Sequence, residues 1–81
     1  MLFRSVVPSP NRHVLLLERV HPLGVLLAVY NFSDREQSLP AEVLGERGLS
    51  APVDRISGKP VVPRAGALRL PPHARLWLTQ P

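Results

Sequence analysis

Proline placement limits this chain more than any other feature. Ten prolines are spread through 81 residues, and no interval longer than about seventeen residues lacks one. A proline inside a helix costs about 3 kcal/mol, because it removes a backbone donor and clashes with the preceding turn. The sequence therefore predicts many short extended segments joined by turns, an all-β domain. Eighty-one residues give room for one domain with one modest core, so support from a disulfide, a metal or a partner surface is expected. Cysteine is absent, and His13, His21 and His73 are scattered with no spacing that brings two ring nitrogens onto one ion. Neither metal nor cofactor is expected, which leaves a partner surface.

The apolar pattern places the strands. Gly24–Asp34, GVLLAVYNFSD, carries the longest apolar run. Val25, Leu27 and Val29 fall on one face and Leu26, Ala28, Tyr30 and Phe32 on the other, the pattern of a strand central to its sheet and covered on both sides. Upstream, residues 12–20 put Val14, Leu16, Glu18 and Val20 opposite His13, Leu15, Leu17 and Arg19, and Pro22-Leu23-Gly24 joins the two runs as an antiparallel hairpin. Residues 1–11 form a lead-in with room for a short edge strand before Pro8-Ser9-Pro10-Asn11.

Beyond Asn31 the chain turns polar, and Ser33-Asp34-Arg35-Glu36 reads as a solvated turn. Residues 37–43 resume alternation with Leu39, Ala41 and Val43 on one side, and Pro40, lacking a donor, places that strand at an edge or at a bulge. Residues 44–51 read as a loop with space for one helical turn. Residues 52–57 form a short strand holding Val53 and Ile56, which Ser57-Gly58-Lys59 turns back toward Val61 and Val62. Residues 67–70 and 75–79 alternate as the two strands of a hairpin around Pro71-Pro72-His73-Ala74, with Leu68, Leu70, Leu76 and Leu78 directed into the core. The same alternation sends Trp77 to the opposite face.

The formal net charge of +4 is uneven: residues 1–46 carry −1 and residues 47–81 carry +5. A basic half raises nucleic acid as a partner, but binding a strand needs aromatics interleaved with cations on one face. Phe3, Tyr30, Phe32 and Trp77 are dispersed along the chain, so no nucleic acid is expected. The apolar run at residues 23–30 is far shorter than the ~20 residues that span a bilayer, and no signal peptide is visible, so no membrane partner is expected. The compartment is left open.

The order of pieces resembles a known module. A strand ending in Arg19 is followed by an apolar strand closing in Tyr30-Asn31-Phe32-Ser33-Asp34. Then come Leu39, the segment Asp54-Arg55-Ile56-Ser57-Gly58-Lys59, and finally Leu68-Arg69-Leu70-Pro71-Pro72-His73-Ala74-Arg75-Leu76-Trp77-Leu78. Together they are similar to the C-terminal β-domain of the α-amylase family of glycoside hydrolases and transglycosylases, above all the form seen in amylosucrase and related enzymes. The resemblance implies an antiparallel Greek-key β-sandwich of about seven or eight short strands over residues 11–81. It makes residues 1–10 a lead-in or linker remnant and Met1 an added start. It implies a non-catalytic domain that packs on and stabilises the catalytic TIM barrel of the same polypeptide, in an α-glucan-active enzyme.

Glycoside chemistry needs two carboxyl groups facing each other across the scissile bond. Asp34, Glu36, Glu42 and Glu46 fall in or beside turns, and no serine has the strained context of a nucleophile, so no catalytic residue is assigned. Trp77, His73 and Tyr30 are the candidate contact residues. They serve either docking against a neighbouring domain or, as the alternative, an independent carbohydrate-binding module that stacks α-glucan on an exposed indole.

Overall fold

The computed structural model describes residues 3–22 and 24–80. Met1 and Leu2 of the lead-in, Leu23 of the first hairpin connection and Pro81 lie outside the described residues. The chain is an all-β, antiparallel sandwich. Its elements are β1 (Phe3–Val7), β2 (Val14–His21), β3 (Gly24–Asn31), β4 (Gln37–Pro40), α1 (Glu42–Gly45), β5 (Val53–Asp54), β6 (Ala67–Leu70) and β7 (Arg75–Thr79). A five-stranded sheet has the order β1-β2-β3-β7-β5, and a two-stranded sheet pairs β4 with β6.

Register follows the side-chain alternation. In the large sheet Val7, Leu16, Val29 and Leu76 lie side by side across four strands, and Glu18, Leu27 and Leu78 form the next row on the same face. In the small sheet Leu39 sits opposite Leu68, with Leu70 one step along. These leucines and valines meet between the sheets as one core, which Val43, Leu44 and Leu49 close at one end. Leu16, Leu27, Leu39, Leu44, Leu70 and Leu78 are all fully buried, each contributing roughly 1.5–3 kcal/mol of transfer free energy.

Two local arrangements differ from expectation. Alternation predicts one strand from Leu39 through Val43, yet the strand stops at Pro40 and residues 42–45 form α1. Val43 is buried in either geometry, so its apolar character does not discriminate a strand from a helical turn. Residues 67–70 and 75–79 are not partners of one another. Strand β6 pairs with β4 in the small sheet, whereas β7 enters the large sheet between β3 and β5. Pro71-Pro72-His73-Ala74 is thus a crossover between layers. His73 adopts φ +58, an uncommon backbone for a residue with a side chain, and donates its N–H to the Ser33 carbonyl at 3.1 Å.

Strand β1 is the edge strand allowed within residues 1–11, pairing from Phe3↔Val20 to Val7↔Leu16. The Asp54–Lys59 turn closes as expected: the Asp54 N–H donates to Lys59 O at 2.9 Å, and Gly58 takes φ +76. The strand is limited to residues 53–54, and Ile56 lies in the exposed turn instead of on that strand.

Candidate functional site on the outer face of the large sheet

The small sheet covers one face of the large sheet, and the opposite face carries the candidate residues. Trp77 belongs to that face because Leu76 and Leu78 are committed to the core on either side of it. Its partner across the ladder is Ala28, whose partner is Leu17, whose partner is Val6. Val6, Leu17, Ala28 and Trp77 therefore form one apolar row across four strands. Within the domain Val6 is 69% exposed and Trp77 43% exposed. Strand β3 is central in the sheet, but the domain itself covers only one of its faces. Its apolar outer side is presented outward.

Small Ala28 makes the floor of a depression of ≈ 160 Å³ whose walls include Leu17, Leu26, Tyr30 and Trp77. The Trp77 indole N–H donates to the Tyr30 hydroxyl at 3.2 Å. That bond satisfies the polar edge of the indole and leaves its apolar face for contact. Tyr30 is in turn stacked on Phe32, with ring centroids 6.5 Å apart and an interplanar angle of 29°. Phe32 is 65% exposed. A second, shallower depression of ≈ 320 Å³ beside them is lined by Tyr30, Asn31, Phe32, His73 and Arg75. Trp77 and Tyr30 are thus in direct contact, and His73 reaches the same region from the crossover.

Backbone anchors hold this face. The Asp54 carboxylate accepts the amides of Trp77 (3.0 Å) and Ile56 (3.1 Å) on one oxygen and that of Ser57 (3.3 Å) on the other. Burial pushes its carboxyl upward, and the amides of Trp77, Ile56 and Ser57 outweigh this, leaving it below the ordinary aspartate value. The Trp77 carbonyl accepts the Arg55 N–H at 2.8 Å, so Trp77 is clamped on both sides of its peptide unit. At the other end of the face, Asn31 is buried. Its amide nitrogen lies 2.9 Å from Arg35 O, 3.2 Å from Leu70 O and 2.9 Å from Pro71 O, and its oxygen accepts the Ser33 amide and hydroxyl at 2.9 and 2.8 Å. One side chain joins the large sheet, the polar turn and the small sheet.

The remaining acids are engaged elsewhere or dispersed. Glu18 lies 3.2 Å from Arg47 Nε, Glu36 pairs with exposed Arg69 at 3.1 Å, and Asp34 in its turn and Glu42 and Glu46 at the two ends of α1 are exposed. Sequence reasoning missed Val6, Leu17 and Arg19 as members of this face. Their positions in alternating segments were visible, but their adjacency to Trp77 depends on register across three ladders.

A search of curated proteins finds no match. A family model described as the C-terminal domain of amylosucrase matches residues 4–79, from β1 through the end of β7.

Proposed function

This chain belongs to the amylosucrase C-terminal domain family, and from that premise we propose that it is the non-catalytic C-terminal β-domain of an α-glucan-active enzyme. It packs the outer face of its large sheet on the catalytic TIM barrel of the same polypeptide and so stabilises it. The observation that carries this reading is the row Val6, Leu17, Ala28 and Trp77, which spans four of five strands on the face opposite the core. An apolar sheet face of this kind gains by being covered, at roughly 25 cal/mol per Å² removed from water.

Substitution of Val6 by arginine tests it. Val6 is largely exposed in the domain, so Val6→Arg changes the stability of the 81-residue chain by less than about 0.5 kcal/mol. In the whole polypeptide the same change puts a charge into the domain contact and costs about 2 kcal/mol or more, read as a lower unfolding midpoint. Equal midpoints for variant and wild type, together with a saturable change in Trp77 emission on adding maltoheptaose, favour the alternative of an independent carbohydrate-binding module. The exposed Trp77 indole, with Tyr30 beside it, is the feature that alternative would use.

A further inference from the structure

Resting on the docking reading above, we propose that the surface seated on this face is acidic as well as apolar: an apolar ridge that enters the depression over Ala28, bordered by carboxylates that meet Arg19, Arg55 and Arg75. Arg19 follows Leu17 on the outer side of β2 and pairs with Leu26, while Arg75 pairs with Tyr30 on the outer side of β7. Arg55 reaches the β7 side of the same face, where its Nε donates to Thr79 Oγ1 at 2.6 Å. The apolar row thus lies among cations.

None of these three arginines has a carboxylate partner among the described residues. Glu18 is drawn to Arg47 and Glu36 to Arg69, and Asp54 is occupied by three amides. Asp34 lies in the turn that joins β3 to β4 and makes no ion pair among the described residues, and Glu42 and Glu46 lie in and after α1, beyond β4 of the small sheet. Covering the apolar row removes water from the neighbouring guanidinium groups, which is costly unless the incoming surface supplies opposite charge. A neutral or basic partner surface would leave these cations desolvated and uncompensated. The three arginines thus select an acidic rim and help fix the orientation of docking.

The test uses the whole polypeptide and reads the rate at which a protease releases this domain. The double variant Arg19→Glu, Arg75→Glu is released at least about tenfold faster than wild type, in keeping with the coupling energies of close charge pairs. Arg19→Lys, Arg75→Lys retains charge and stays near the wild-type rate. So does Arg64→Glu, an exposed site beside the small sheet. Raising salt from about 0.05 M to about 0.5 M speeds release of the wild type and narrows the gap. If the double glutamate variant is released at the wild-type rate while Val6→Arg is released faster, the acidic rim is wrong and docking through this face stands. If neither variant differs from wild type, docking through this face is itself overturned.

Discussion

Replacing Asn31 by aspartate is expected to lower the stability of the domain by about 4 kcal/mol, a large part of what a chain this size possesses. The asparagine is only 3% exposed and directs its NH₂ group at three carbonyl oxygens, those of Arg35, Leu70 and Pro71. An aspartate keeps the acceptor that serves Ser33 but turns a second oxygen, and a negative charge, toward those carbonyls. Asn31→Ala avoids the repulsion and leaves the groups unpaired, for a smaller loss of about 2–3 kcal/mol. Urea unfolding of the three proteins gives the order wild type, alanine, aspartate. A loss below about 1 kcal/mol for the aspartate variant would contradict the role assigned to this side chain.

The second large effect is at Asp54, which is 4% exposed. Asp54→Ala removes the acceptor of three backbone amides at once and is expected to cost about 3 kcal/mol. Because Trp77 N–H is one of them, the emission of Trp77 should shift in the variant even where the domain remains folded. The pH dependence has a definite sign. The carboxyl is held below its ordinary value in the folded state, so its stabilisation is fully present above the unfolded value of about 3.9. That stabilisation is lost as pH falls through the folded value. The difference in unfolding free energy between wild type and Asp54→Ala should therefore be constant near neutrality and shrink below about pH 4. A difference that grows on acidification would contradict the assignment.

Both residues show how far the sequence could be read. Prolines and alternation placed the main strands, and the commitment of Leu76 and Leu78 to the core correctly turned Trp77 outward. In the sequence Asn31 is only the point where an apolar run turns polar, since a buried amide and a solvated turn amide are written with the same letter. Arg35 O is a local partner, but Leu70 O and Pro71 O become neighbours of Asn31 only because the chain passes from β6 in the small sheet to β7 in the large one, a connection that spacing around Pro71-Pro72 does not encode. Asp54 opens a turn signature in the sequence, and the fold adds that its carboxylate reaches across to β7. For the candidate site, Trp77 and Tyr30 were legible as outward aromatics on their own strands. The row that joins Trp77 to Val6 was not, because it requires three registers to be fixed together, and a one-residue slip in any of them moves a strand's apolar set to the other face.

The most direct test of the central claim is hydroxyl-radical footprinting of the whole polypeptide, read side chain by side chain. Val6, Phe32 and Trp77 are exposed in the domain, as is Val62, which borders Leu68 and Arg69 of the small sheet. The docking account predicts that Val6 and Trp77 are protected in the whole polypeptide while Val62 remains labelled. Labelling of Val6 and Trp77 as strong as that of Val62 would contradict it.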